Sequence, residues 1–137
     1  MVADRLARDG LRIVLTGTPD ECAIVKDVAQ AMTAPALDLC GLTTLGEAAA
    51  LIESARLVVT NDTGTSHLAA ALGTPSVVVF IASDPTRWAP TPSNRHLSIG
   101  RGVRDVPAGQ QSRRDAPSFP DVDEVLDVIA DPLAVTA

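Results

Sequence analysis

The chain has 137 residues, of which 46% are hydrophobic, and a formal net charge of -6. This length suffices for one hydrophobic core, so we expect a single domain over residues 1–137. Two Phe, one Trp and no Tyr offer few rings for stacking on bases, and the acidic balance disfavours binding to a phosphate backbone, so we exclude nucleic acid as a partner.

The first third of the chain predicts a strand, a helix and a second strand. Residues 12–16 form a β-branched run that ends at a glycine. Thr18 and Glu21 enclose a proline in the pattern of a capping box, which predicts a helix over residues 19–32. Its inner face is expected to carry Ile24, Val28 and Met32. Residues 37–39 then predict a short strand.

A second capping box, Thr44 to Glu47, opens the next helix and is followed by a buried strand over residues 56–60. The apolar residues of this helix recur at helical spacing and predict one stripe against the core. They are Leu45, Ala48, Ala49 and Ile52.

The remaining elements follow in the same order. A helix over residues 65–72 ends at Gly73, and residues 76–81 predict a strand that is covered on both faces. Residues 84–90 form a loop or short helical turn, and residues 96–99 a final strand. Residues 100–118 lack periodicity and predict a mobile surface loop. A last helix over residues 121–130 begins at Asp121 and is expected to stop at Asp131-Pro132.

This alternation of strands and helices predicts an α/β fold, a Rossmann-like parallel sheet with helices on both faces. The core is expected over about residues 11–99. In such sheets ligands bind beyond the carboxyl ends of the strands, where the following helices begin.

Six consecutive residues occupy that place after the third predicted strand. They are Asp62, Thr63, Gly64, Thr65, Ser66 and His67. Thr63 or Asp62 can cap the helix, while Gly64 lets a phosphate approach the free backbone N–H donors of residues 64–66. The hydroxyls of Thr63, Thr65 and Ser66 are expected to add further donors. The segment predicts a diphosphate site that needs no lysine, and an ordinary capped helix is the alternative. His67 lies in the first helical turn, where it can donate to a phosphate or a departing diphosphate.

Cys22 and Cys40 lie far from any metal-binding spacing, so we expect two reduced thiols and no metal. The amino terminus lacks the apolar stretch of an export signal, and no apolar run is long enough to cross a bilayer. We therefore expect a cytoplasmic protein without a transmembrane segment, with peripheral attachment to the inner face of the membrane left open.

Residues 38–47 and 55–75, centred on the sequence Asn-Asp-Thr-Gly-Thr-Ser-His that ends at His67, resemble the carboxyl-terminal nucleotide-sugar domain of glycosyltransferase family 9, the heptosyltransferases. The resemblance covers about residues 12–90. It implies a GT-B enzyme with two Rossmann-like domains, which transfers heptose from ADP-heptose to a cell-envelope glycan such as lipopolysaccharide, with inversion and without a required metal or other cofactor.

The resemblance also implies roles for particular residues. Asp62, Thr63, Gly64 and His67 would hold the donor's diphosphate and sugar. Glu21 would contact the ribose, although capping its own helix explains this glutamate equally well. The neighbouring Thr43 and Thr44 would line the adenine pocket.

Two departures limit the resemblance. Residues 80–85 lack a glycine and a proline that family members carry after this strand. The family's amino-terminal domain, which binds the acceptor and supplies the general base, has no counterpart in the sequence. We therefore predict the donor-binding half of a glycosyltransferase, and keep as the alternative a non-catalytic nucleotide-sugar-binding module or degenerate remnant. A flavodoxin-like or receiver-like domain ranks last, because residues 17–19 lack the expected acidic or flavin-contacting cluster.

Overall fold

The computed structural model describes residues 1–81, 83–91, 93, 95–100 and 120–134. These residues form two compact units, Met1–Ala50 (unit 1) and Leu51–Ala137 (unit 2), and each is described by itself. The expectation of one domain stays a prediction. The loop expected over residues 100–118 lies outside the described residues, apart from its first residue.

Unit 1 contains two parallel strands and the helices next to them in the chain. Its elements are α1 (Val2–Arg8), β1 (Ile13–Leu15), a 3₁₀ turn (Pro19–Glu21), α2 (Cys22–Ala31), β2 (Ala36–Asp38) and the first part of α3 (Leu45–Ser54). β1 and β2 pair with Val14 opposite Leu37, as the predicted strand–helix–strand order requires. The sequence did not predict α1.

A buried carboxylate fixes α1 to the connection between α2 and β2. Asp4 Oδ1 accepts hydrogen bonds from the backbone N–H groups of Ala34 and Thr33, each at 2.8 Å, and from Thr33 Oγ1 at 3.0 Å. These bonds, that of Ala34 first, lower the pKa of Asp4 to about 2. The helix is therefore held by a charged side chain as well as by the apolar contact of Leu6, which is also buried.

The inner face of α2 differs from the prediction. Ile24 is 67% exposed, whereas Val25 is half-buried and lies next to Gly17, 3.3 Å from the position that a Cβ on that glycine would take. Because Cys22 and Val25 share one face at a spacing of three residues, the face is rotated away from Ile24. Val28 and Met32 are half-buried, as expected.

The apolar stripe of α3 is buried only near the end of the helix. Ile52 is buried and Ala48 and Ala49 are half-buried, but Leu45 is 80% exposed. The prediction that Leu45 packs in the core is therefore wrong. The helix starts there because Thr44 and Glu47 cap it, which does not require Leu45 to be buried.

Unit 2 contains a three-stranded parallel sheet in the order β3–β4–β5. Its elements after α3 are β3 (Val58–Asn61), α4 (Gly64–Leu72), β4 (Ser76–Val79), α5 (Pro85–Trp88), β5 (His96–Ile99) and α6 (Val122–Ala134). α4 connects β3 to β4 and ends, as predicted, at Gly73, whose φ of 71° is left-handed.

The core of unit 2 surrounds the central strand. Val77, Val78 and Phe80 are fully buried, because strands flank β4 on both sides and helices cover it. Residues from α4 and α6 complete the core, namely Ala69, Val125 and Ile129. β3 alternates between half-buried and exposed side chains, with Val59 41% exposed, so the expectation of a buried strand is wrong there.

α6 begins as predicted and continues further than predicted. Asp121 and Glu124 form a reciprocal capping box, with Glu124 N–H donating to Asp121 Oδ1 at 2.8 Å. The helix extends through Ala134 and so passes Pro132, where we expected it to stop. A proline this close to a helix end removes one hydrogen bond and disturbs few following residues.

Within the described ranges, none of these helices combines the length and apolar character that crossing a bilayer requires.

Candidate functional site

The predicted site lies at the carboxyl end of β3 in unit 2. β3 ends at Asn61 and α4 begins at Gly64, so only Asp62 and Thr63 connect the two elements. Since β3 and β4 are parallel neighbours, the segment that follows β4 begins at the same edge of the sheet. The fold therefore brings two loops together at the start of α4.

Asp62 and Ser83 join these two loops. The Ser83 hydroxyl donates a hydrogen bond to Asp62 Oδ2, and both residues are half-buried. The carboxylate is therefore held in place while its other oxygen can accept a further bond. Sequence reasoning missed Ser83 because it treated residues 80–85 only as a departure from the family's pattern. The sequence feature that could have indicated this contact is the hydroxyl of Ser83 shortly after β4, the strand that pairs with β3.

The first residues of α4 present a backbone surface that a ligand can approach. Thr63 is the N-cap residue, with extended backbone and no hydrogen bond from its side chain to the helix. Gly64 is exposed, and a Cβ built on it would meet no atom within 4 Å. Helix geometry provides no intrahelical partner for the N–H groups of Gly64 and Thr65, which begin the helix. The glycine therefore leaves open space in front of two backbone donors.

Ser66 does not join this surface. Its side chain is fully buried, its hydroxyl donates to the Thr63 carbonyl at 2.7 Å, and its backbone N–H donates to the same oxygen at 3.0 Å. The expectation that Ser66 offers free donors to a ligand is therefore wrong. Close packing of the first turn against the sheet has enclosed the side chain, which instead holds the turn that presents Gly64.

The two histidines occupy different environments. His67 is exposed in the first turn of α4. His96 lies on β5 with Nδ1 3.0 Å from Ser76 Oγ on the neighbouring strand, and burial, with Arg95 nearby, lowers its pKa. A structural role accounts for His96, and His67 is exposed in the turn that begins with Gly64 and Thr65.

In unit 1, the Glu21 side chain caps the start of its own helix. Its Oε2 accepts hydrogen bonds from the Thr18 N–H at 2.7 Å and the Thr18 hydroxyl at 2.8 Å. These bonds, the backbone one first, lower the pKa of the Glu21 carboxyl. The capping interpretation is therefore confirmed for one carboxylate oxygen, and the ribose contact stays a prediction.

Thr44 has the same kind of role at the start of α3. Its N–H and hydroxyl each donate to Glu47 Oε2 at 2.8 Å, and the Glu47 N–H donates back to Thr44 Oγ1 at 3.3 Å. The bonds from Thr44, that of its backbone first, lower the pKa of Glu47. Thr43 is half-buried beside it. The second capping box is confirmed, and the adenine contacts of both threonines stay predictions.

The two cysteines depart from the sequence prediction. Cys22 and Cys40 form a disulfide across a Cα–Cα distance of 5.5 Å, where we expected two separate thiols. Their spacing along the chain gave no indication of this pairing, because the parallel pairing of β1 with β2 is what brings the two positions together. Among the residues that the structure describes, no three His, Cys, Asp or Glu side chains cluster as metal ligands.

Comparison with known proteins gives a family for this arrangement. The family model of glycosyltransferase family 9 (heptosyltransferase) matches residues 1–108. The chain is 35% identical over 132 residues to lipopolysaccharide heptosyltransferase 3 of Escherichia coli, covering 94% of this chain and 38% of that protein. It is also 30% identical to lipooligosaccharide heptosyltransferase 2 of Haemophilus influenzae, over 65% of this chain and 27% of that protein. The chain thus spans well under half the length of these curated relatives.

Solved structures support the same fold. A glycosyl transferase family 9 protein from Veillonella parvula superposes with a TM-score of 0.79 at 23% identity, over 98% of this chain and 40% of that one. The E. coli ADP-heptose lps heptosyltransferase II superposes with a TM-score of 0.76 at 25% identity and the same coverage. The predicted α/β fold, with parallel strands and helices as in one half of a GT-B enzyme, is confirmed, and the chain belongs to glycosyltransferase family 9.

Proposed function

We propose that the chain is the donor-binding half of a glycosyltransferase, which transfers a sugar from an ADP-sugar to a cell-envelope glycan acceptor. We take the sugar to be heptose, as in the heptosyltransferases of the family. The observation that carries the proposal is the open start of α4 at the carboxyl end of β3, beside a carboxylate held by Ser83. Family membership and the lipopolysaccharide heptosyltransferases among its relatives support the substrate class.

The start of α4 suits the diphosphate of the donor. Its positive dipole end and the N–H groups of Gly64 and Thr65 favour an anion without a lysine. The open space at Gly64 allows a phosphate oxygen to approach the backbone closely. Local donors of this kind explain how a domain of net charge -6 can bind an anionic ligand. The hydroxyls of Thr63 and Thr65 are placed to add further donors.

Asp62 suits the sugar better than the phosphates. A carboxylate only accepts hydrogen bonds and repels a phosphate oxygen, whereas a sugar hydroxyl can donate to it. Ser83 binds Oδ2, which leaves Oδ1 for such a hydroxyl. We therefore place the transferred sugar, heptose by family default, at Asp62 and assign Ser83 as the residue that positions it.

His67 suits the leaving group. When the bond between the anomeric carbon and the diphosphate breaks, negative charge develops on the β-phosphate oxygen. An exposed imidazole in the first turn of α4 can donate a hydrogen bond to that oxygen. In this proposal the transfer inverts the configuration of the anomeric carbon. It needs no metal, because backbone donors and His67 stabilise the charge on the leaving diphosphate.

The nucleoside is assigned to unit 1 by family resemblance. Glu21 contacts the ribose through the carboxylate oxygen that Thr18 does not occupy. Thr43 and Thr44 line the adenine pocket, Thr44 through its methyl group, because its N–H and hydroxyl donate to Glu47 and its carbonyl accepts from the Ala48 N–H.

Calorimetric titration of the chain with ADP and with ADP-heptose tests these assignments separately. His67→Ala is expected to weaken both ligands by about tenfold, because it removes a hydrogen bond to a charged phosphate. Asp62→Asn is expected to leave ADP binding within about twofold and to weaken ADP-heptose by about tenfold, because only the sugar contacts its carboxylate. AMP should bind more weakly than ADP, since it lacks the phosphate that α4 receives.

Asp127→Asn is the matched control, because it removes an exposed carboxylate from α6 and should change neither affinity. Ser83→Ala should reproduce part of the Asp62→Asn effect, and Ser83→Thr should restore binding. Unchanged affinities for both ligands in the His67 and Asp62 variants would contradict the assignment. Titrations with EDTA and with Mg²⁺ test the metal independence, and we expect the same ADP affinity in both.

A non-catalytic nucleotide-sugar-binding module is the second candidate. Among the described residues we assign a place for the leaving diphosphate, and we assign no carboxylate to deprotonating an acceptor. Both candidates predict ADP-heptose binding, but only the first predicts ADP release that depends on a glycan acceptor, once an acceptor-binding domain is supplied. We place the activity in the cytoplasm, with peripheral attachment at the inner face of the membrane, where a lipopolysaccharide acceptor would be available.

A further inference from the structure

The cysteine pair joins two segments of unit 1 that follow its two strands. Cys22 is the first residue of α2, after the loop that leaves β1, and Cys40 lies just beyond the end of β2. The Cα–Cα distance of 5.5 Å falls in the range that a disulfide spans without movement of the backbone. The two positions therefore meet the distance that a disulfide requires.

Two glycines enclose the sulfur atoms closely. A Cβ on Gly17 would lie 3.1 Å from Cys40 Sγ, and one on Gly41 would lie 3.3 Å from Cys22 Sγ. Gly41 also donates its N–H to the Gly17 carbonyl at 2.9 Å, so the two backbone segments are already bonded at this point. The sulfur pair thus lies in a space that side chains at either glycine would fill.

The surroundings also suit the reduced state. The Thr18 carbonyl oxygen lies 3.5 Å from Cys22 Sγ and 3.2 Å from Cys40 Sγ. In a dithiol, each S–H would have this oxygen as a hydrogen-bond acceptor. A backbone acceptor is therefore at hand for both thiols once the bond is reduced.

The two sulfurs differ in access from solvent. Cys40 is 8% exposed and Cys22 is half-buried. A small-molecule disulfide can therefore reach Cys22 first, with Cys40 behind it as the resolving thiol.

We propose that Cys22 and Cys40 are a reversible thiol–disulfide pair that exchanges with small-molecule disulfides of the glutathione class. The Cys22 thiolate attacks one sulfur of the oxidant, forms a mixed disulfide and releases one thiol. The Cys40 thiolate then attacks Cys22 Sγ, forms the intramolecular bond and releases the second thiol. The two cysteines lose two electrons and two protons, and the oxidant gains both as its two thiols.

The bond connects the segments that carry the proposed nucleoside contacts. Cys22 follows Glu21 directly, and Cys40 precedes Thr43 and Thr44 by three and four residues. Crosslinking reduces the freedom of both segments in the unfolded chain and in local opening. Oxidation therefore stabilises unit 1 and, on the proposed function, orders the segments that carry Glu21, Thr43 and Thr44 before the nucleoside binds.

Alkylation and mass measurement of the whole chain in glutathione redox buffers test the pair. After full reduction we expect two alkyl groups, and after equilibration with oxidised glutathione we expect none. Before alkylation, the oxidised chain should be lighter than the reduced chain by two hydrogens. The melting temperature should rise on oxidation by on the order of 5–10 °C, as expected for a bond that closes a loop with a sequence separation of 18 residues.

Cys22→Ser and Cys40→Ser serve as matched controls, because each retains one thiol and neither can form the bond. Cys22→Ser should keep the same melting temperature in the two buffers, whereas Cys40→Ser retains the attacking thiol without the resolving one and should gain one glutathione. Two alkylated thiols after treatment with oxidised glutathione would overturn the proposal, and so would a stable adduct of glutathione on the wild-type chain. Equal melting temperatures for the two wild-type states would overturn the stabilisation.

ADP titration of both redox states separates this inference from the proposed function. A few-fold tighter binding to the oxidised chain is expected, because its loop is ordered before the ligand arrives. Equal binding in the two states would overturn the link to the donor site. Absence of ADP binding in both states would contradict the proposed function, while alkylation and melting would still decide the disulfide.

Discussion

Each of the two units of this chain is stabilised internally by a different kind of interaction. Unit 2 has a buried apolar core around β4, in which Val77, Val78 and Phe80 are fully enclosed. Unit 1 buries few apolar side chains and leaves Leu37 and Ile24 largely exposed. Its order relies on the hydrogen bonds of Asp4, on capping boxes and on the bond between Cys22 and Cys40.

This difference separates two ways of placing functional groups. In unit 2 a rigid core positions Asp62 and the start of α4, because helix and strand packing fixes the connection between them. In unit 1 local polar bonds position the residues that resemblance assigns to the nucleoside. We therefore expect the stability of unit 1 to depend on pH and redox conditions, and the stability of unit 2 to depend on the packing of its core.

The largest effect is expected from Phe80→Ala in the core of unit 2. Removing this fully buried ring leaves a cavity and is expected to lower the free energy of unfolding by about 3–5 kcal/mol. Leu37→Ala in unit 1 is the comparison, and because Leu37 is 56% exposed, we expect a loss below about 1 kcal/mol. Urea denaturation measures both, and equal losses would remove the distinction between the units.

A smaller effect is expected from Asp4→Asn in unit 1. Because folding lowers the pKa of Asp4 from 3.8 to about 2, its ionised form stabilises unit 1 above that ordinary value, and the contribution is lost as pH falls towards 2. The variant should melt a few degrees lower at neutral pH and lose less stability on acidification. Melting curves from neutral pH downward measure this effect. Asp9→Asn on the exposed end of α1 is the control, and an identical acid response in wild type and Asp4→Asn would contradict the role of Asp4.

The smallest effect is expected from Leu45→Gln. A leucine that is 80% exposed contributes little by burial, so the free energy of unfolding should change by less than about 0.5 kcal/mol. Ile52→Gln on the same helix is the matched variant, and it should destabilise the chain strongly, because Ile52 is buried. A large loss in the Leu45 variant would restore the interpretation of a full apolar stripe.

Much of the fold could be predicted because local signals agreed with one another. Both capping boxes and the apolar run of β4 marked elements that the structure contains. The errors came where tertiary packing decides. Helical spacing cannot tell whether a stripe is covered, so Ile24 and Leu45 were assigned to a core that they do not join.

The sequence predicted the position of the candidate site in the fold better than it predicted which side chains the site presents. The rule that ligands bind after parallel strands located Asp62 to His67 at the start of α4. It could not show that Ser66 faces inward or that Ser83 reaches Asp62, because both depend on how a helix and a distant loop pack. The cysteine pairing was missed for the same reason, since the two cysteines are separated by 18 in the sequence and are brought together only by strand pairing.

The helix that follows the loop carrying Ser83 contains a natural optical probe. Trp88 is the chain's single tryptophan, the sequence has no tyrosine, and its indole is 54% exposed in α5, five residues beyond Ser83. Indole emission responds to the polarity around the ring, so it reports on this loop against little background. We expect a ligand at the proposed site beside Asp62 to change this emission, which would let its binding be followed in unlabelled protein on the timescale of mixing.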